Sequence, residues 1–254
     1  MSSSLLRQLA PLELDPVTNE PFLRLPAPHA HIVITPPRMS DAQFMTDYMN
    51  DPRVFRWTYT PPWPYHLEHA LYWLEMIRTG TDVALKQLED VAAVDPDGTA
   101  PLLITPECPV RSIRERRADG AEVYIGDCGF QPTTFEWELD PEERARLAQE
   151  NAAHPPGSPN IVWSIGDYLA PSHHGQGIMS AVIKALVGQW VLPRMNARII
   201  RPTIQDGNEG SLRVFYKNGF VLWRTVPNAM QVKAKGEFPA ETRTIHVLEY
   251  RANQ

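Results

Sequence analysis

The stretch Trp163-Ser164-Ile165-Gly166-Asp167-Tyr168-Leu169-Ala170-Pro171-Ser172-His173-His174-Gly175-Gln176-Gly177-Ile178-Met179-Ser180 decides how the chain is read. Ile161–Leu169 is rich in β-branched and aromatic residues and predicts a strand. Ile178 to Val191 sets Ile178, Val182, Leu186 and Trp190 on one face at helical spacing, which predicts a helix. Between them Pro171 stops the strand, and Gly175 and Gly177 shape a turn. A helix N-terminus leaves its first N–H groups unpaired and carries partial positive charge. With glycines removing side-chain bulk, several of those groups can converge on a phosphate or diphosphate. Each hydrogen bond to a charged acceptor is worth roughly 1.5–3 kcal/mol. Two glycines at this spacing also serve simply to close a loop before a helix, so the turn alone does not decide. A nucleotide P-loop is excluded because no Gly-Lys-Ser/Thr follows, and the dinucleotide fingerprint because the third glycine is missing.

Working outward, Ala197–Ile204 predicts a strand and Ser211–Asn218 a short helix with Gly219 at its C-cap position. Phe220–Val226 and Thr242–Arg251 predict two closing strands. Upstream, Glu138–Ala153 predicts a helix with Pro141 in its first turn and Glu142 and Glu143 at the positive dipole end. Ala121–Phe130 and Leu102–Thr105 predict strands, and residues 79 to 100 show little periodicity. Leu67, Ala70, Leu71, Leu74 and Ile77 mark a helix from Leu67 to about Arg78. Ser40-Asp41-Ala42-Gln43 has capping-box spacing and opens a helix ending near Asn50. His31–Ile34 predicts the first strand. Residues 1–29 are polar and proline-punctuated, an arm with a short extended piece at Phe22–Leu25. Alternating strands and helices in the last hundred residues favour a mixed α/β sheet, and no internal repeat is evident.

The 254 residues carry 24 Lys and Arg against 30 Asp and Glu, a formal charge of −6. The densest basic run, Arg111 to Arg117, is broken by Glu115, so no nucleic-acid interface is expected. Cys108 and Cys128 lack metal-ligand spacing, and reduced thiols of a cytoplasmic protein are the expectation. The N-terminus has no sustained apolar run, so neither a signal peptide nor a membrane span is expected. His173 and His174 are adjacent and point apart, with no third ligand at a matching spacing, so no metal site is expected.

Ser164 through Pro171, followed by Gly175-Gln176-Gly177, resembles the strand-and-loop signature of the GNAT acetyltransferase superfamily. It is most similar to the branch that holds the ribosomal-protein N-terminal-alanine acetyltransferases. Asn208-Glu209-Gly210-Ser211-Leu212-Arg213-Val214 and Gly219-Phe220 resemble that branch's Asn-x-x-Ser helix and its Gly-Phe ending. Pro37 to Ala42 and Asn50 to Val54 resemble its N-terminal part. The resemblance runs over roughly residues 30 to 250 and is most specific across 161–220. It implies an α/β (α+β) fold: a mixed, mostly antiparallel central sheet, splayed at the cofactor strand and flanked by helices. It divides the chain into the arm, 1–29, and one acetyltransferase domain, 30–254, in which 134–160 reads as an insertion.

The resemblance further implies an N-acetyltransferase that uses acetyl-CoA as cosubstrate, without metal. The acceptor is then a small-molecule amine, an amino acid or a peptide N-terminus, the small amine being favoured by the long insertion and proline-rich loops. The oligomeric state, monomer or homodimer, is left open. The pantetheine arm would lie along 161–169, with backbone groups near Tyr168, Leu169 and Ala170 facing the thioester. His174, Gly175, Gln176, Gly177, Ile178 and Met179 would hold the diphosphate, with His174 and Met179 departing from the usual residues. Asn208 and Ser211 would contact the pantetheine amides. The family's frequent glutamate base position is Ser164 here, leaving Asp167 and then Glu122 as candidate bases. Its tyrosine acid falls at Phe215, with Tyr216 one residue on as the candidate. Trp57, Tyr59, Trp63, Tyr65 and Trp73 would form an aromatic wall for the acceptor. Two other readings stay open: a non-catalytic acyl-CoA-binding module, and a nucleotide-binding α/β protein of another kind.

Overall fold

A computed structural model describes residues 2–252. The elements follow as α1 (Ser3–Leu9), β1 (Glu13–Leu14), β2 (Pro21–Arg24), β3 (Ile32–Thr35), α2 (Ala42–Met49), α3 (Pro52–Phe55), α4 (Leu67–Val94), β4 (Ser112–Arg116), β5 (Glu122–Pro132), α5 (Pro141–Ala152), β6 (Val162–Leu169), α6 (Ile178–Leu186), α7 (Leu192–Arg194), β7 (Ile199–Ile200), β8 (Thr203–Gln205), α8 (Glu209–Lys217), β9 (Val221–Val232) and β10 (Glu241–Arg251). They build a sheet in the order β1-β2-β3-β4-β5-β6-β7-β10-β8, with β9 also on β10. Pairing is antiparallel except between β6 and β7. This is the mixed, mostly antiparallel sheet that the resemblance implied.

The centre of the sheet is thin. β6 and β7 share only the pairs Val162↔Ile199 and Trp163↔Ile200, closed by the Arg201 N–H donating to the Trp163 carbonyl at 2.7 Å. Pro202 follows, and without an N–H it cannot extend that ladder. The chain turns away to β8, which pairs with β10. From Ser164 onward β6 keeps only β5 as a partner, and a wedge opens between β6 and β8.

Register assigns the faces, since directly opposed residues share a side of the sheet. Asp167 opposes Cys128, Ile165 opposes Phe130 and Leu169 opposes Gly126. Cys128, Ile165 and Leu169 pack with Ile178, Val182 and Leu186 of α6 in the main core. Tyr168 lies on the other face and packs with Tyr124, Met45, Leu74 and Ile77, beneath α2 and α4. A third cluster joins Trp137 to Ile245 and Val247 of β10, with Val162 against it.

Several elements differ from the sequence expectation. The helix that opens at Leu67 runs to Val94, not Arg78. Its buried stripe continues through Thr81, Ala84, Leu88 and Ala92, and all of these except Leu88 are too small or polar to show periodicity. Gly80 lets the helix pass Glu107, because a Cβ there would lie 1.9 Å from Oε2. Leu102–Thr105 is not a strand: the Thr105 N–H donates to the Arg194 carbonyl, and Gln8 bonds Pro101 and Leu103. The basic run holds strand β4, whose Arg114 is buried in an ion pair with Asp41. Ser40 does not cap α2; a short turn, Met39–Asp41, precedes it, and Asp41 accepts from the Arg38 N–H at 3.0 Å. The expected strand 197–204 is split at Pro202 into β7 and β8. The first 29 residues hold α1 and two strands that lengthen the sheet, tied down by Arg194. Its guanidinium donates to the carbonyls of Leu103, Ala10 and Gln8.

Candidate active site

The wedge presents main-chain groups. The Trp163 carbonyl faces β7, and alternation along a strand turns the N–H and C=O of Ile165, Asp167 and Leu169 the same way. The even-numbered residues face β5, as the Ala170 N–H shows by donating to the Ile125 carbonyl at 2.7 Å. Leu169's carbonyl accepts from His174 Nε2 at 2.9 Å. The edge then runs into the glycine turn. Gly175 (φ +74°) and Gly177 (φ +79°) adopt the left-handed conformation that side chains disfavour. Gly177 is the N-cap of α6, and the N–H groups of Gly177, Ile178, Met179 and Ser180 find no acceptor among the described residues. Four free donors at a helix N-terminus fit a diphosphate.

A cleft of about 1180 Å³ joins this loop to the wedge and to the space under α4. At one end lie Arg213 and Lys217 of α8, beside the loop. At the other lie Trp57, Tyr59, Tyr65, Tyr72 and Trp73. Burial pushes the Tyr65 hydroxyl up to about 12. Asp127, Asp167 and Glu136 line the cleft as well. Arg111 answers Asp127: both are buried, Nε and Nη2 form a fork on the carboxylate at 2.7–3.2 Å, and Trp73 lies 5.8 Å from the guanidinium. Gly129 makes that position possible, since a Cβ would sit 2.2 Å from Arg111 Nη2. Asp167 has no such partner. Burial, and then the charge of Asp127, push its carboxyl up from 3.8 to about 7, so it holds a proton over much of the neutral range. The Tyr124 and Tyr168 hydroxyls are 2.6 Å apart, and burial raises both well above the ordinary tyrosine value.

The acetyltransferase (GNAT) domain description matches residues 31–221 of this chain. The chain belongs to the GNAT acetyltransferase family. No curated protein matches it by sequence. Among solved structures, the GNAT-family acetyltransferase of Bacillus anthracis superposes with a TM-score of 0.57 at 12% identity, over 91% of this chain and 98% of that one. Mycobacterium smegmatis RimJ, solved with CoA-disulfide, gives 0.55 at 17% identity, over 92% and 87%. The ribosomal-protein-S5-alanine acetyltransferase of Vibrio fischeri gives 0.52 at 14%, over 91% and 96%. At these identities the likeness is one of fold.

In this GNAT chain the cleft gathers Asp167, Tyr168, Leu169, His174, Gly175, Gly177, Ile178, Met179, Asn208 and Ser211. Asn208 spends its side-chain oxygen on the Ser211 N–H, 3.2 Å away, capping α8. Met179 is buried in the core. Three expectations need correcting. Glu122 lies away from the cleft, bound by Arg38 and Arg116, which hold its carboxyl below the usual glutamate range against the burial that raises it. Tyr216 is 48% exposed and does not line the cleft, because the neighbouring Phe215 takes the inward direction and is buried. Ala170 and Gln176 do not line it either: the Ala170 N–H is committed to β5, and Gln176 Nε2 donates to the Ser172 carbonyl. Of the aromatic set, Trp63 packs on Phe55 instead.

Sequence reasoning also missed residues. Glu136 and Thr203 line the cleft, and His29, from the expected arm, stands beside Gly177. No local signal marks them, because each is delivered by a segment whose course is set by long-range packing. Among the described residues, no group of three or more His, Cys, Asp or Glu is placed to hold a metal ion. No helix there is long and apolar enough to cross a membrane. Both cysteines are free and buried.

Proposed function

We propose that the protein transfers acetyl from acetyl-CoA to the primary amine of a small molecule or amino acid. The observation that carries this reading is the unpaired edge of β6 running into the four free N–H groups of α6. A pantetheine arm has amides to pair with such an edge, and a diphosphate has the charge for such a helix end. Arg213 and Lys217 add positive charge for phosphate, and the Glu136 carboxylate adds negative charge for an ammonium. The Leu169 N–H, facing the wedge, is placed for the oxyanion that develops on a thioester carbonyl.

A primary ammonium with a pKa near 10 costs about 4 kcal/mol to deprotonate at neutral pH, so the acceptor needs a proton-accepting group. The departing thiolate needs a proton in return. Asp167 shares the α6 face of β6 and is protonated up to about pH 7, which suits it to supply that proton.

A small acceptor is favoured by the strap over the aromatic end. Arg243 donates to the Arg56 carbonyl, Gln205 to that of Trp57 and Lys235 to that of Thr58, at 2.8–2.9 Å. Segment 56–61 is thereby tied to the other half of the split sheet, across the opening that a protein chain would need. The test is thiol release from acetyl-CoA with a panel of small amines, amino acids and peptides. Release with small amines above peptides supports the reading. CoA binding without thiol release for any acceptor would mean a binding module, the alternative favoured by Ser164 and by the outward Tyr216.

A further inference from the structure

Glu136 stands directly after Phe135, a non-glycine residue held at φ +54°. Such backbone costs of order 1–3 kcal/mol and persists only where its surroundings enforce it. Here they do. Trp137 is buried against Ile245 and Val247, and Asn151 of α5 donates to the carbonyls of Thr133 and Val162 and accepts from the Val162 N–H. The 134–160 segment is thus fastened to the start of β6, and its strained turn aims one carboxylate inward. Thr134 Oγ1 donates to Glu136 Oε1 at 2.6 Å, fixing the side chain.

The other oxygen is left over. Glu136 Oε2 is buried without a hydrogen-bond partner, and so is Thr203 Oγ1, and both residues line the cleft. An orphaned buried polar atom costs about 1–3 kcal/mol, a cost that a donor on a bound molecule removes. Register places Thr203, and the packing of Trp137 places its neighbour Glu136, on one face of the sheet. Thr203 opposes Val247, which packs with Trp137, and Val162 packs on the same cluster; Ser164, two residues on, shares that face of β6. It is the face of Tyr168 and the aromatic wall, opposite to that of Asp167. The two carboxyls therefore bracket the wedge from its two sides.

We propose that Glu136 is the catalytic base, its free Oε2 taking a proton from the acceptor's ammonium. This rests on the acetyl-transfer reading. The neutral amine nitrogen then bonds to the thioester carbonyl carbon. The carbon–sulfur bond breaks with its electron pair going to sulfur. The thiolate takes the Asp167 proton, and the surplus proton on nitrogen, lost as the amide forms, returns through solvent to Asp167 and restores it. The products are the N-acetyl amine and CoA thiol, with one proton released to solvent from Glu136.

The experiment compares the full chain with E136Q, which keeps an oxygen for Thr134. Each is incubated with acetyl-CoA and tyramine, spermidine, phenylalaninamide or an alanine-initiated hexapeptide, and thiol release is followed. With any amine that the wild type acetylates, kcat of E136Q falls about 10²–10⁴-fold, the range for a general base, while the KM for acetyl-CoA and the melting temperature stay unchanged. An E136Q kcat within about threefold of wild type overturns the proposal, being far below that range. A wild type that is thermally stabilised by CoA yet releases no thiol with any amine overturns the transferase reading, and the base with it. The two failures are told apart by whether the wild type turns over.

Discussion

Replacing Asp167 with Asn removes a carboxyl that the fold keeps protonated, and the sign of the effect follows from linkage. In the folded chain the group ionises near pH 7, against 3.8 ordinarily. Between these values the native state binds more protons than the unfolded one, so stability falls as pH rises from about 4 to about 7 and levels off above. The full displacement corresponds to about 4 kcal/mol at 1.36 kcal/mol per tenfold step. Asp167 keeps part of its surface toward the cleft, and screening there reduces the effect to about 2 kcal/mol. For a chain of this size that is about 4–8 °C in melting temperature. Asn is close to isosteric with the protonated acid. Calorimetric melts are therefore expected to show D167N above wild type by that margin at pH 8, with the gap closing by pH 4. Thiol release by D167N is expected to fall at least about tenfold, as for loss of a general acid. Equal melting temperatures at pH 8, or a D167N deficit there, would refute the assignment of a buried, proton-holding carboxyl.

Gly177→Ala places a side chain at φ +79° in the turn proposed to hold the diphosphate. It should lower stability by about 1 kcal/mol and weaken CoA binding at least about tenfold, a loss of about 1.4 kcal/mol, read by calorimetric titration. Arg194→Met leaves the carbonyls of Leu103, Ala10 and Gln8 without their donor. A loss of about 3 kcal/mol or more is expected in chemical denaturation, with faster proteolysis before residue 30. Tyr216→Phe, on an exposed side chain, should leave kcat within about twofold, as surface changes leave stability within about 0.5 kcal/mol. A larger drop in a steady-state assay would place the phenol in the chemistry after all.

What was legible in the sequence was local. The turn at Gly175 and Gly177, the apolar stripe from Ile178 to Trp190 and the helix around Pro141, Glu142 and Glu143 all form through neighbours in the chain, so their residues show it; Asp140, which caps that helix at a start three residues later than expected, was missed. α4 beyond Arg78 was not legible, because its buried positions 81, 84 and 92 are Thr and Ala, whose burial is set by partners distant in sequence. β4 was hidden by its arginines, which are outward-looking by type but buried by pairing, as Arg114 is with Asp41. The chemistry suffered most. A one-residue shift on α8 exchanged Tyr216 for Phe215 at the inward position, since neighbours on a helix differ by about 100°. Glu136 bears no motif; its place comes from Trp137 and Asn151, two anchors on either side of a loop and helix.

The sheet that narrows to two residue pairs between β6 and β7 bears on how such a site can change over time. The donors and acceptors along that gap belong to the peptide links of Ile165, Asp167 and Leu169, and substitution of a side chain does not delete a peptide link. A molecule seated there is read by groups that every residue except proline supplies. The side chains around it are then free to change with the acceptor, while the main-chain groups that would hold a donor stay in place.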